Sequence, residues 1–214
     1  MDMKEKAKSI IGLLKERYPE ALCALHYHKD YELMIAVRLS AQCTDARVNL
    51  VTPALFAAYP TLEAMAKAEI SDVEKLVHSC GFYKHKARDI VLACQMLLSD
   101  YGGKVPDSME KRLKLPGVGR KTANLLLGDL YQKPGSVVCD THCMRICQRL
   151  GLSQGRDPEK VEKQLRQVLP PEDSSDFCHR IVLFGREICT ARNPKCGECP
   201  LKAHCAENGN VENS

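Results

Sequence analysis

Four thiols near the C-terminus have the spacing of a metal centre: Cys189-x6-Cys196-x2-Cys199-x5-Cys205. Within 17 residues they can wrap one centre in a single compact loop, and thiolates are ligands for both iron–sulfur clusters and zinc. Zinc motifs usually set two close pairs at a distance. Here one pair is flanked by single cysteines, and spacing alone leaves both metals open. A second stretch, Leu115-Pro116-Gly117-Val118-Gly119-Arg120-Lys121-Thr122-Ala123-Asn124, places Pro and two Gly between a helix-like run (Ser108 to Lys114) and an apolar helix (Thr122 to Leu130). Such a hairpin demands glycine backbones, and it opens a helix whose free N–H groups can hold a phosphate. This is the form of a helix-hairpin-helix anchor for a nucleic-acid backbone, with a plain helix–helix turn as the alternative.

Asp140, in Val137-Val138-Cys139-Asp140-Thr141-His142, precedes a helical run, the ordinary place of an N-cap. It is also expected to face Lys121 across a cleft. Lys121 falls in the first turn of its helix beside Arg120, where the positive helix end and the neighbouring cation both disfavour another charge. An amine so placed can serve as a nucleophile; a phosphate contact is the other role open to it.

The elements that must position these groups read as helices. Apolar residues recur at helical spacing (Ile10, Ile11, Leu13, Leu14; Leu62, Met65, Ala68; Ile90, Val91, Ala93, Leu97, Leu98) and breakers separate the runs. Thr61 and Ser71 are predicted helix caps. Alternating strands are absent, so the chain is predicted to be all-α, with a seam between two lobes near Lys133-Pro134-Gly135-Ser136. The polar tail after Cys205 is expected to fray. Cys139, Cys143 and Cys147 are read as small buried hydrophobes.

The 214 residues are 44% hydrophobic and 27% charged, an ordinary globular composition. No apolar run is long enough for a bilayer, and the N-terminus lacks the pattern of a signal or transit peptide, which predicts a cytosolic protein with no membrane association. Twelve cysteines in such a setting point to metal rather than to disulfides. The net charge of +4 is uneven: eight basic and two acidic residues between Lys111 and Leu150 give that segment a net +6. A local basic face suits a polyanion, although a solvated charged surface explains it equally well.

From about Leu39 to Cys205 the sequence resembles endonuclease III, a family of helix-hairpin-helix DNA glycosylases. The likeness is carried by Leu39-Ser40-Ala41-Gln42-Cys43-Thr44-Asp45, Gly81-Phe82-Tyr83-Lys84, the hairpin, Val138-Cys139-Asp140-Thr141-His142 and the four cysteines. The resemblance implies a two-lobed helical fold. A six-helix barrel domain would span residues 22–133, and residues 1–21 with 134–214 would form a domain holding a [4Fe–4S] cluster on Cys189, Cys196, Cys199 and Cys205. It implies a bifunctional glycosylase and abasic-site lyase of base excision repair, removing oxidised pyrimidines from damaged double-stranded DNA in bacterial or archaeal cytoplasm. Lys121 would be the nucleophile and Asp140 its carboxylate partner.

The same resemblance places Leu115, Gly117, Gly119, Arg120 and Thr122 against the DNA backbone. Gln42 would fill the gap left by an extruded base and Phe82 would wedge between bases, with a core position as the other possibility for Phe82. Asp45 and His142 would line the lesion pocket or serve as cap and core residues. A basic loop of Arg186, Arg192 and Lys195 would be shaped by the cluster. Relatives often carry Val, Ala or Ile where Cys139 and Cys143 stand, so an additional oxidation-sensitive site beside Asp140 is one expectation. A monomer without an obligate protein partner is expected. Two alternatives are a monofunctional mismatch- or adenine-type glycosylase and a non-catalytic iron–sulfur DNA-binding protein. The first is disfavoured by Lys121 and by a chain that stops nine residues after Cys205, the second by the pairing of Lys121 with Asp140.

Overall fold

The computed structural model describes residues 2–207; Met1 and residues 208–214, which include most of the tail expected to fray, lie outside them. No strand occurs among the described residues, and no helix there is long and apolar enough to cross a membrane. The helices are α1 (Met3–Arg17), α2 (Asp30–Ser40), α3 (Asp45–Ala58), α4 (Leu62–Ala66), α5 (Ile70–Val77), α6 (Tyr83–Tyr101), α7 (Met109–Arg112), α8 (Arg120–Tyr131), α9 (Thr141–Arg149), α10 (Pro158–Val168) and α11 (Ser174–Glu187). Short 3-10 turns add His78–Cys80, Pro171–Asp173, Cys196–Glu198 and Lys202–His204. The chain divides into two compact units, Cys23–Tyr131 and Met1–Leu22 with Gln132–Ser214.

In the unit Cys23–Tyr131, α2 is the central helix. Leu33, Met34, Ile35, Ala36, Val37 and Leu39 are all buried, and a helix apolar on nearly every side must be surrounded. It packs against α3, α6 and α8. Helix α6 presents a single stripe, Ala87, Ile90, Cys94 and Leu97, to the same core. Two caps fix helix starts as their residue types require: the Thr44 hydroxyl accepts from the Arg47 amide at 3.2 Å, and Thr61 from Ala64 at 3.1 Å. Ser71 does not cap. Helix α5 begins two residues earlier than that cap would set it, at Ile70, with the Glu69 carbonyl already accepting from Asp72 and Val73, so Ser71 lies inside the helix.

The other unit is held by α1 and α11. Ala7, Ile10, Ile11 and Leu14 form the buried stripe of α1, which packs on α10 and α11. Arg180 of α11 donates to the Tyr18 and Pro19 carbonyls at 2.9 and 3.0 Å, fixing the exit of α1. Helix α9 lies tightly on α11 at Gly185. A Cβ there would meet His142 Nδ1 at 2.5 Å and Ile146 Cδ1 at 2.8 Å, so only a bare backbone permits this packing.

Candidate active site and metal centre

The hairpin joins α7 to α8. Its turn is closed by the Val118 amide donating to the Leu115 carbonyl at 3.1 Å, and Ala123 N–H returns to the Gly119 carbonyl at 2.9 Å as the first bond of α8. The two glycines serve different ends. Gly117 has φ +73°, a left-handed conformation, and a Cβ on it would lie 2.4 Å from Arg38 Nε and 2.7 Å from Asp89 Oδ2. Gly119 has no such φ, and a Cβ there would meet nothing within 4 Å. Only Gly117, then, is demanded by the turn; Gly119 leaves backbone bare toward open space. Leu115 is buried in the core, which leaves only its main chain available to a ligand.

Beneath Gly117, Arg38 donates through Nε to Asp89 Oδ2 at 2.8 Å, with Nη2 2.6 Å from the same oxygen. This pair joins α2 to α6 and forms the floor of the turn. On the other side Arg112, wholly buried, donates to the Pro106 carbonyl and, at 3.1 Å, to the Ala123 carbonyl, and stacks 5.1 Å from the Tyr131 ring centre. Burial lowers its pKa to about 10. Arg112 thus pins α7 to α8 from inside. It does not belong to the basic face read from the sequence, because charge counting does not reveal which way a side chain points.

Lys121 stands exposed in the first turn of α8, with Arg120 and Thr122 half-buried beside it. Gln42 and Phe82, also of this unit, are both exposed, Phe82 by 65%, so Phe82 is not a core residue. Both are left-handed (φ +54° and +47°), which is rare for side chains of these sizes and marks backbone held under constraint. Asp45 lies half-buried in the first turn of α3, directly after the Thr44 cap.

In the second unit Asp140 is the N-cap of α9: its Oδ1 accepts from the Cys143 amide at 2.7 Å. The strand-like approach to it is anchored by the Val138 amide, which donates to Cys178 Sγ at 3.2 Å. Cys139, Cys143 and Cys147 are buried, as a hydrophobic reading predicts. Hydrogen bonding to Cys139, Cys147 and Cys178, together with burial, raises the Cys143 thiol well above its ordinary range. That environment disfavours a reactive thiolate at Cys143. His142 is half-buried on α9, its Nδ1 3.2 Å from Arg145 Nη2.

Cys189, Cys196, Cys199 and Cys205 line one cavity of about 90 Å³, several times what a single water needs. The rest of the wall is Ile188 and Pro194, the cations Arg149 and Lys195, and one carboxylate, Glu207, which lies 3.4 Å from Arg149 Nε. Burial, and the charge of its three neighbouring cysteines, hold the Cys199 thiol above its ordinary range. Four thiols that repel one another when ionised call for a cationic centre to neutralise them. Four thiolates around one cavity are a donor set that fits an iron–sulfur cluster. Arg149 donates to Cys189 Sγ at 3.3 Å and to the Thr190 carbonyl at 2.9 Å, while Arg145 reaches the Cys189 carbonyl at 2.8 Å. Charge counting along the sequence assigns both arginines to the basic face; their spacing of four on α9, toward the cysteine loop, is the signal that could have placed them here.

An all-helical chain with a glycine hairpin, an exposed lysine just past it and a C-terminal quartet of thiols defines a helix-hairpin-helix repair protein. Residues 35–171 match the family described as HhH-GPD superfamily base excision DNA repair protein, and residues 189–205, which run from Cys189 to Cys205, match the iron-sulfur binding domain of endonuclease III. Endonuclease III of Synechocystis sp. is 45% identical over 94% of this chain and 92% of that protein. A solved non-covalent endonuclease III–DNA complex is 38% identical with a TM-score of 0.92, covering all of both chains. A trapped endonuclease III–DNA covalent intermediate is 39% identical with a TM-score of 0.90, over 97% of this chain and 98% of that one. The chain belongs to the endonuclease III family: a DNA-binding glycosylase with abasic-site lyase activity in base excision repair, carrying a [4Fe–4S] cluster.

Proposed function

We propose that Lys121 is the nucleophile and Asp140 its carboxylate partner, and that the substrate is an oxidised pyrimidine in duplex DNA. The observation that carries this reading is the position of Lys121, an exposed amine two residues past Gly119 in a chain that aligns over 97% of its length with a trapped covalent DNA intermediate. The target base leaves the stack, because its glycosidic bond is out of reach inside the helix. Lys121 Nζ attacks the anomeric carbon as the bond to the base breaks, and the base departs with the electron pair and takes up a proton. The amine nitrogen gives up a proton, its lone pair opens the C1′–O4′ bond and O4′ takes up a proton; the Schiff base so formed loses a proton from the adjacent sugar carbon, and the 3′ phosphate leaves by β-elimination. Asp140, fixed by its bond to the Cys143 amide, stabilises the positive charge that develops on the sugar and accepts a proton from the amine.

Bare backbone at Gly117 and Gly119, the amides of the first turn of α8, Arg120, Thr122 and the main chain of Leu115 grip a phosphate beside the lesion. Gln42 fills the vacated place, Phe82 wedges between bases, and Asp45 and His142 border the lesion pocket. Cys189, Cys196, Cys199 and Cys205 hold the [4Fe–4S] cluster, whose role when bound is to shape the loop bearing Arg192 and Lys195 rather than to exchange electrons with substrate. The protein acts in the cytoplasm as a monomer with no obligate protein partner.

The test is borohydride trapping on duplex DNA bearing one oxidised pyrimidine. Wild type should form a covalent adduct that Lys121→Ala does not, while Lys121→Ala still binds the duplex. An adduct of equal yield in both would sink the assignment.

A further inference from the structure

Lys86 is 1% exposed in a helix stripe otherwise made of Ala87, Ile90, Cys94 and Leu97. Its Nζ donates to the Leu39 carbonyl at 2.8 Å and to the Cys80 carbonyl at 2.7 Å. Both acceptors sit where a helix ends. Leu39 is in the last turn of α2, and Cys80 is the last residue of the 3-10 turn His78–Cys80. Carbonyls at such ends have no partner within their own helix and carry its negative pole, so a cation that reaches two of them satisfies both at once. The backbone of Lys86 adds a third link, its amide donating to the Phe82 carbonyl at 3.1 Å as the first bond of α6.

Each acceptor leads directly into constrained backbone. Three residues after Leu39 comes Gln42 at φ +54°; after Cys80 come Gly81 at φ +67° and Phe82 at φ +47°. A side chain in a left-handed conformation persists only where its surroundings over-determine it. Through its two carbonyl bonds the Lys86 ammonium fixes the exits into both. An ammonium in the interior, held by carbonyls rather than by a carboxylate, is also an unfavourable way to fill space that an aliphatic side chain could occupy.

We propose that Lys86 is a positioning residue that locks the Gln42 and Phe82 loops into one rigid element, so that the gap filler and the wedge act together when the base is extruded. It takes no part in bond making. The proposal rests on the roles assigned to Gln42 and Phe82 under the proposed function, and its effect belongs to duplex substrates alone, since a single strand has no stack to open.

The test is a double-mutant cycle on the cluster-loaded enzyme. Single-turnover excision of an oxidised pyrimidine from duplex DNA is measured for Gln42→Ala, Phe82→Ala and the double variant, in wild type and again in Lys86→Met. In wild type the two losses should be coupled at least fivefold, and in Lys86→Met they should simply multiply. Lys86→Met should also lose at least tenfold in duplex excision while cleaving an abasic site in single-stranded DNA within twofold of wild type. Coupling that survives in Lys86→Met, no coupling in wild type, or an equal fall of duplex and single-strand activities would each overturn the proposal; the last marks general structural support. Lys86→Gln, a shorter neutral donor, gives the same cycle if the methionine variant does not fold. An inactive wild type would defeat the proposed function itself, whereas an active wild type with an uncoupled cycle defeats only the role of Lys86.

Discussion

A single methyl group at residue 117 separates the two reasons a glycine can stand in this hairpin. In Gly117→Ala the new side chain inherits φ +73°, which costs about 1–2 kcal/mol for an L-residue and is partly offset by the lower entropy of the unfolded alanine chain. Its Cβ also falls 2.4 Å from Arg38 Nε and 2.6 Å from Arg38 Cδ, so the guanidinium must leave Asp89. That pair is 21% and 24% exposed, between surface and interior, and a charged hydrogen bond in such a place contributes about 1–3 kcal/mol. Together these predict a loss of about 2–4 kcal/mol, or roughly 5–15 °C in melting temperature for a chain of this size. Thermal and denaturant unfolding followed by circular dichroism measure it. Gly119→Ala, with open space at its Cβ, should change stability by less than about 0.5 kcal/mol, yet weaken duplex binding if, as proposed, the bare backbone there grips a phosphate. In an Arg38→Ala background the Gly117→Ala cost should fall to about 1 kcal/mol, the conformational part alone. A cost that is the same in both backgrounds would refute the steric reasoning, and equal stability losses at 117 and 119 would refute the distinction between the two glycines.

Asp140→Asn keeps a good cap, so stability should hold within about 0.5 kcal/mol while excision falls at least a hundredfold; an activity near wild type would remove Asp140 from the chemistry. Phe82→Gly should leave stability unchanged or raise it by up to about 1 kcal/mol by relieving a left-handed backbone, while duplex excision drops; a large destabilisation in a melt would show that the exposed ring packs against the protein after all. Burial pushes the Cys94 thiol up to about 12, so the folded chain keeps a proton that the unfolded thiol, near 9.0, gives up. Its contribution is complete below pH 9 and is lost as pH rises toward 12, at about 1.4 kcal/mol per pH unit. Cys94→Ala should flatten the decline of stability between about pH 9 and 11, and an unaltered slope would contradict this.

The hairpin, the cysteine quartet and the Asp140 cap could be read from the sequence because each is local: residue type and spacing over a short stretch determine what they form. The floor beneath the hairpin could not. Arg38 and Asp89 are 51 residues apart and meet only because α2 and α6 pack together. Lys86 left a partial trace, being the one charge in an otherwise apolar stripe of α6, but its acceptors are main-chain carbonyls that no residue letter reveals. Ser71 looked like a cap because its type fits one; the helix begins at Ile70 since the Glu69 carbonyl is already in place to accept two amides. Gly117 and Gly119 are the same letter two positions apart, and only the neighbours of each show that one faces a salt bridge and the other faces nothing.

The inward turn of several arginines alters how this enzyme should respond to ionic strength. Each phosphate neutralised by a basic side chain releases condensed counterions, so the slope of binding against salt counts the contacts. Eight basic residues between Lys111 and Leu150 could by themselves give a log–log slope of roughly −7. Arg112 is sealed in the core, and Arg145 and Arg149 are committed to the carbonyls and the sulfur of the cysteine loop. The stretch can then contribute a slope no steeper than about −5. An enzyme built this way should keep more of its hold on DNA as salt rises than its sequence charge implies, because part of that charge is used inside the protein, on the hairpin and the cysteine loop.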